Sequence, residues 1–534
     1  MMTRSTSSIH VGLLGLEATG VTDRSVALDI AHAICLEAGF NIAFHLDLAF
    51  DDGAKVWNAV SRTAMLDAIL ICLRPTAALL LGNLQEALNS RLTAGLSDPL
   101  VAFGGPTVLC AYHEIAQNFS KAFVWSGTVE EGFPHFLKVL YKRFSHAMVT
   151  DESRRSMRTV TKHFAMPVQH STERCVRYGG SIWIEASRGC HQKCNFCIMS
   201  NDQALSKWIP RPLEDLFDEI ATIKDQFGVG YFSFSDLSAF ETREYTQAFL
   251  DEYRRRNMTF SFRCDMRLAT VRNLGNKLLE LRDAGLSSVY VGIETLVPEF
   301  QLVYGKQYPG KEAIDHLLSI DILVSAGIIM LDPLYSPEDF RCQVEGVLRE
   351  NLLPLIATPF KTTRVQKGTR YEILARNHGI LGDLLPNLCD YSYRCLDQKM
   401  EIVRQIMEFF HQTTKHIYYN PYIEGQIRQA RLNDNFVARL HGISVRYKEI
   451  QMKLLHHLAR IVTENSSMDG ILKKSLDAAD MFAKERKEVF AVTAKNYEQL
   501  LVDGIPYYRL DLERFISLYQ EVPMFDADRV RVAQ

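Results

Sequence analysis

The feature that constrains this chain most is an alternation of strand and helix patterns. It runs twice, over residues 11–129 and again over 181–363. In the first series VGLLGLE (11–17), FNIAFHLDL (40–48), AILICLRP (68–75), LVAFGGPTV (100–108) and KAFVWSGTV (121–129) read as strands, with helical spacing between them. Strands that alternate with helices cross over and pair in parallel. These five therefore predict a doubly wound α/β domain over 1–145. Such sheets bind ligands at the carboxyl ends of their strands. There the chain carries Gly104, Gly105, Pro106 and Thr107, and then Ser126, Gly127 and Thr128. Glycine at such a mouth lets a bulky ligand approach the backbone, and it serves a tight strand-to-helix turn equally well. The sequence leaves both roles open. No G-x-G-x-x-G follows the first strand, which speaks against a dinucleotide site.

A polar, charged segment over 146–180 reads as a linker. The second series follows, with strands at 181–187, 230–236, 259–265, 287–295, 328–334 and 355–363. Six βα steps predict a partial (β/α)6 barrel over 181–375, short of the eight of a closed one. After Gly368 the spacing becomes mostly helical, which predicts a helical C-terminal region over 376–534. Its Met and aromatic positions read as core. HIYYNPY (416–422) is a polar and aromatic stretch within it that is available to a substrate.

Composition narrows the function classes. The net charge is −3, so no bulk positive charge holds a nucleic acid. No apolar run reaches the ~18 residues of a membrane span. The N-terminus carries no secretory pattern, and the expected location is cytoplasmic. Eleven cysteines then read as thiols and not as a disulfide framework.

Three of those thiols stand together in SRGCHQKCNFCIMS, residues 187–200. Cys190, Cys194 and Cys197 have the spacing C-x3-C-x2-C, directly after a predicted strand. A structural zinc site would need a fourth ligand, from His191 or a remote cysteine. A [4Fe–4S] cluster held by three cysteines keeps one iron open, and an open iron is where a substrate or cofactor coordinates. Cys264 reads as a small buried residue.

The run C-H-Q-K-C-N-F-C resembles the C-x3-C-x-aromatic-C motif of the radical S-adenosylmethionine (SAM) enzymes. Phe196 stands at the aromatic position. The resemblance continues through Arg211-Pro212, Glu219, YFSFSDLSAF, FRCDMR, VGIET with Gly305-Lys306, GIIMLDP and Gly368-Thr369, over about 180–375. It implies that Cys190, Cys194 and Cys197 bind the cluster and that the amino and carboxylate groups of SAM chelate the open iron. Phe196, Ser235, Asp236, Arg263, Arg267 and Glu294 are then the residues expected to line SAM. Asp236 or Glu294 would accept from ribose hydroxyls or the SAM amine, and an Arg would pair with its carboxylate.

With a doubly wound domain ahead of such a barrel, the chain resembles the cobalamin-dependent class of radical SAM enzymes. AFGGPT, YHEIAQNF and VWSGTVEEGFPHFLKVL are similar to the second half of that class's Rossmann-like cobalamin-binding domain. The glycine–glutamate repeat usual after the fifth strand is replaced here by residues 126–131, Ser-Gly-Thr-Val-Glu-Glu. There is no D-x-H-x2-G, so no histidine is assigned to cobalt. The resemblance implies Gly104, Gly105, Pro106, Thr107, Ser126, Gly127 and Thr128 as cobalamin contacts. It also implies a methyltransferase. A 5′-deoxyadenosyl radical would take hydrogen from an unactivated carbon, and methylcobalamin would supply the methyl group. Phosphinate phosphorus is a variant target, and many members act on natural products. The expected partners are a small-molecule substrate and an external electron donor of flavodoxin or ferredoxin type, with no nucleic acid and no membrane.

Of four other readings, the first two stay open and the last two are disfavoured. They are a cobalamin-dependent cyclase or rearrangement enzyme, a radical SAM enzyme that has lost cobalamin, a methylthiotransferase, and a cobalamin sensor without catalysis. A methylthiotransferase needs further cluster cysteines near the N-terminus, whereas Cys35, Cys72 and Cys110 lie far apart in helix or strand patterns. A sensor has no use for an open iron.

Overall fold

The computed structural model describes residues 9–16, 26–48, 51–73, 80–105, 108–144, 158–159, 164–178, 182–201, 206–356, 359–414 and 434–502. The N-terminal domain runs β1 (His10–Leu16), α1 (Val26–Glu37), β2 (Asn41–Asp47), α2 (Gly53–Arg62), β3 (Ala68–Leu73), α3 (Leu81–Thr93), β4 (Leu100–Gly104), α4 (Val108–Asn118), β5 (Phe123–Val124), β6 (Ser126–Gly127) and α5 (Val129–Phe144). Its five-stranded sheet has the order β2-β1-β3-β4-β5, and every pair is parallel. The expected fifth strand is split: β5 stays in the sheet, while β6 pairs with β7 (Arg158–Thr159) inside the supposed linker.

The apolar strands are explained by burial on both faces. Leu14, Ile69, Ile71 and Phe103 pack on one side. Leu13, Ala68, Leu70 and Ala102, alternating with them, pack on the other under α1 and α5. In this strand order the connections change direction between β1 and β3, and the crevice there is the ligand position of such folds.

The linker also holds α6 (His170–Tyr178), which ties to α1: Ser171 Oγ donates to Asp29 Oδ2 at 2.5 Å. The barrel follows as β8 (Trp183–Ile184), β9 (Ser187–Arg188), α7 (Ile198–Asn201), β10 (Ile209–Pro210), α8 (Leu213–Phe227), β11 (Tyr231–Phe234), α9 (Arg243–Arg255), β12 (Ser261–Met266), α10 (Leu268–Leu274), α11 (Lys277–Asp283), β13 (Leu286–Glu294), α12 (Pro298–Tyr304), α13 (Glu312–Ser319), β14 (Leu323–Ile328) and α14 (Pro337–Arg349). Five strands form a parallel sheet in the order β14-β13-β12-β11-β8. Among the described residues, the expected sixth strand, 355–363, pairs through isolated parallel bridges, Ala326 to Ile356 and Leu331 to Thr362.

Beyond it the reading of a mostly helical chain needs one correction. β15 (Val365–Gln366), β16 (Leu381–Leu384) and β17 (Asp390–Tyr393) form a small antiparallel sheet around α15 (Arg370–Asn377). Then come α16 (Gln398–Thr414), α17 (Asp434–Glu464) and α18 (Met468–Val502). Met407, Phe410, Met452 and Phe482 join the barrel's own apolar core, as their spacing predicts. Lys448 Nζ donates to Pro354 O at 2.9 Å, which fixes α17 against the barrel's flank. The stretch 416–422 lies outside the described residues. Among the described residues no helix is long and apolar enough to cross a membrane.

Candidate active site

The cysteine loop leaves β9 through Gly189, whose φ of 75° suits glycine. β10 brackets it from behind by pairing Ile209 with Arg188 and Pro210 with Ser187. Backbone bonds then hold its middle. Asn195 N donates to Tyr304 O at 2.9 Å, its side chain donates to Val303 O at 2.9 Å, and Tyr371 N donates to Asn195 O at 2.9 Å. The ring of Phe196 stands edge-on to Tyr304, centroids 5.3 Å apart. Beneath them, Tyr304 and Tyr371 each donate a hydroxyl to Asp332 Oδ2 at 2.6 Å, and Thr363 donates to the same oxygen at 2.8 Å. Asp332 is fully buried. Burial pushes its pKa up, against the three hydroxyls and the Leu334 N–H. This carboxyl anchors both residues that grip the loop.

Charged partners surround the thiols. Burial pushes Cys190 up, and it pushes Cys194 up to about 11. The other cysteines of the loop add to that rise, which places the thiols within electrostatic reach of one another. Lys306 pulls Cys194 back down, and Arg267 pulls Cys190 down. Lys306 is held by Glu294, Nζ to Oε1 2.8 Å. Arg267 is held by Glu241, Nε to Oε1 2.8 Å. Glu294 ends β13 at a register shift with φ 66°, a costly conformation for a glutamate. Gly292 makes room for the pair: a Cβ there would lie 2.3 Å from both Glu294 Oε1 and Lys306 Nζ.

Of the expected SAM residues, Phe196, Arg267 and Glu294 lie with the thiols. Ser235 and Asp236 sit behind the loop. Ser235 N and Oγ donate to Ile184 O. Asp236 accepts from Ala186 N at 3.1 Å and from the Ser187 hydroxyl, and burial pushes its carboxyl up to about 7. Arg263 is engaged elsewhere, with Asp265 at 3.1 Å and the Trp183 ring at 5.4 Å. His191 is exposed and Cys264 is buried. Lys306, Glu241 and Asp332 were not singled out from the sequence. Lys306 and Asp332 stand in Gly305-Lys306 and GIIMLDP, and Glu241 directly follows YFSFSDLSAF.

The donor set fits a cluster. Three neighbouring thiolates, one buried and two half-buried, would repel one another without a metal, and ligation to iron supplies the opposing charge. Among the described residues no three His, Cys, Asp or Glu side chains converge on a single metal-ion point. A cubane does not ask for that, because each thiolate binds a different iron.

In the N-terminal domain, Gly104 and Gly105 have packing roles. A Cβ on Gly104 would lie 2.6 Å from the Trp125 ring, and one on Gly105, at φ 108°, would lie 2.8 Å from Leu73 O at the end of β3. Gly105 thereby reaches the crevice strand. Pro106 and Thr107 lie outside the described residues. Ser126 and Gly127 form β6. The Thr128 hydroxyl and the Trp125 indole N–H are buried with no hydrogen-bond partner, the condition of polar atoms that a bound group would satisfy. Cys35 and Cys72 are buried in this domain's core and do not form a second cluster motif.

Residues 184–341 match the model of the radical SAM superfamily. The barrel is a radical SAM domain, and the chain is an enzyme whose domain implies a [4Fe–4S] cluster and SAM. The whole architecture is shared with solved cobalamin-dependent radical enzymes. The structure of the cobalamin-dependent S-adenosylmethionine radical enzyme OxsB with aqua-cobalamin matches with TM-score 0.74 at 13% identity, over 96% of this chain and 84% of that one. Its form with aqua-cobalamin and S-adenosylmethionine gives TM-score 0.70 at 14% identity, over 97% and 84%. The radical S-adenosylmethionine methyltransferase TsrM from Kitasatospora setae, with cobalamin and a [4Fe–4S] cluster, gives 0.54 at 17% identity, over 69% and 78%. No curated protein sequence matches this chain.

Proposed function

We propose that this chain is a cobalamin-dependent radical SAM methyltransferase. It moves a methyl group to an unactivated carbon, or to a phosphinate phosphorus, of a small-molecule or natural-product substrate. One observation carries the reading: the helices α4 and α5 of the N-terminal domain are tied by ion pairs to Lys367, beside the residue that bonds the end of the cysteine loop, and to Arg188, which leads into it. Bound there, the cluster and SAM supply a carbon-centred radical that takes hydrogen from the substrate, and cobalamin supplies the methyl group.

The chain's own residues bind and orient. Cys190, Cys194 and Cys197 hold three irons and leave one for SAM. Arg267 is placed to pair with the SAM carboxylate, and Glu294 with its amine, which competes with Lys306 for that carboxylate. Asp236 fixes the strand end that carries the loop. Thr128 and Trp125 offer a hydroxyl and an N–H without protein partners to the corrinoid's amide rim, Gly105 leaves the strand end free of a side chain, and Gly104 lies beneath, packed on the Trp125 ring. Pro106, Thr107, Ser126 and Gly127 complete that mouth in this reading. The electron comes from an external donor of flavodoxin or ferredoxin type.

A second reading keeps the same cofactors without methyl transfer. What favours it is that OxsB, which this chain matches over nearly its whole length, is described as a radical enzyme and not as a methyltransferase. SAM labelled in its methyl group separates the two. Label in a product, with 5′-deoxyadenosine and S-adenosylhomocysteine formed together, supports methyl transfer. Formation of 5′-deoxyadenosine with a converted substrate and no label supports the second reading and ends the first.

A further inference from the structure

Two ion pairs cross from the N-terminal domain toward the barrel: one reaches Arg188, just ahead of the cysteine loop, and the other reaches Lys367, next to a residue that holds the far end of that loop. At the first end, Arg188 Nη2 lies 2.5 Å from Glu130 Oε1, and the two side chains are only 5% and 3% exposed. Arg188 ends β9, two residues before Cys190, and Glu130 stands two residues after Thr128. Glu185 grips the same guanidinium through Nε and Nη2, both at 2.7 Å, and the Phe164 ring lies 4.0 Å away. Ala165 N also donates to Glu130 Oε1, at 3.3 Å.

At the second end, Glu114 pairs with Lys367. Glu114 is on α4, the helix that follows the 104–107 segment. Lys367 adjoins Gln366, whose Oε1 accepts the N–H of Ile198 at 3.3 Å, one residue after Cys197. The segment around Thr128 thus reaches the start of the cysteine loop through Glu130–Arg188, and the helix after Gly105 reaches its far end indirectly, through Glu114–Lys367 and the Gln366–Ile198 hydrogen bond.

Buried ion pairs contribute little net stability compared with an apolar contact of the same volume. What they fix is relative position, because a guanidinium shared by two carboxylates tolerates few arrangements. A ligand seated against Gly105 and Thr128 would bias Glu114 and Glu130, and through them the loop. We propose that Glu130–Arg188 and Glu114–Lys367 are positioning pairs that transmit occupancy of the N-terminal loops to the cysteine loop. This rests on the reading that those loops bind a corrinoid. By linkage the effect runs both ways, so filling the site at the cluster also tightens corrinoid binding.

The test uses the full chain, purified without oxygen and with its cluster rebuilt. Hydroxocobalamin is added, free corrinoid is removed by gel filtration, and the spectrum is read. Amide hydrogen exchange is then followed over residues 186–201, with and without corrinoid. In the unaltered chain, corrinoid should slow exchange there about tenfold. In the double variant E114Q/E130Q, that response should disappear while corrinoid is still retained. The charge swap E114K/K367E should recover it relative to E114K alone. If the pairs only stabilise the fold, the variants exchange faster by the same factor with and without corrinoid, and the proposal fails. It fails equally if corrinoid is retained and exchange in the unaltered chain does not change. A chain that retains no corrinoid overturns the proposal together with the cobalamin reading, and the spectrum distinguishes that case before exchange is measured.

Discussion

Where β4 and β5 of the N-terminal sheet end, the chain presents Gly104, Gly105, Trp125 and Thr128, and the polar atoms of the last two have no partner. Where β11, β12 and β13 of the barrel end, it presents Asp236, Arg267 and Glu294, each already bound to a partner. Both mouths belong to five-stranded parallel sheets. One is a set of prearranged charges around three thiols, which suits small charged ligands whose position must be exact to a fraction of a bond. The other offers a glycine, Gly105, and single donors without partners, which suits a large ligand held by area. The same architecture thus serves one site by electrostatics and the other by space.

The largest expected effect separates the two mouths outright. Cys194→Ala removes one of the three thiolates. It should cut 5′-deoxyadenosine formation roughly a thousandfold or more, with corrinoid retention preserved. Chromatographic product assay and the cobalt spectrum check the two halves. Asp332→Asn comes next. It leaves Tyr304, Tyr371 and Thr363 with one acceptor fewer in a fully buried site, at a cost of about 3 kcal/mol. Urea unfolding measures this, and iron retained after desalting should fall with it.

Gly104→Ala acts on the other mouth. Its Cβ would meet the Trp125 ring at 2.6 Å, and the overpacking should cost about 1–3 kcal/mol. Corrinoid retention should drop while iron content stays unchanged. The smallest effect is a pH dependence. The Asp236 carboxyl is raised by burial from 3.8 to about 7, so the folded chain keeps a proton that the unfolded chain releases. Its contribution to stability is therefore full below about pH 4 and is lost as pH rises toward about 7. Asp236→Asn should flatten the dependence of the unfolding free energy on pH within that window.

The sequence was legible where chemistry is local. Three cysteines within eight residues after an apolar strand name their own site, and AILICL has the length of a buried strand and forms one, buried throughout. It was less legible where a partner lies far along the chain. Arg188 meets Glu130 across 58 positions, and Lys367 meets Glu114 across 253. No spacing rule connects such residues. Lys306 is illegible for the same reason: its meaning depends on Glu294 and Cys194 standing beside it. The short strands β15 to β17 escaped because they carry too few residues to display a period of two. The split of β5 from β6 escaped because Trp125 between them continues the apolar run while it turns into the core.

The most direct test of this account is a count of cofactors on one preparation. The chain would be purified without oxygen, reconstituted with iron and sulfide, mixed with hydroxocobalamin and passed through gel filtration. Iron and cobalt would then be measured against protein. The account predicts about four irons and about one cobalt per chain, with the cobalt surviving Cys194→Ala. Four irons with no cobalt would contradict it and leave the N-terminal sheet without the ligand its open mouth is taken to hold.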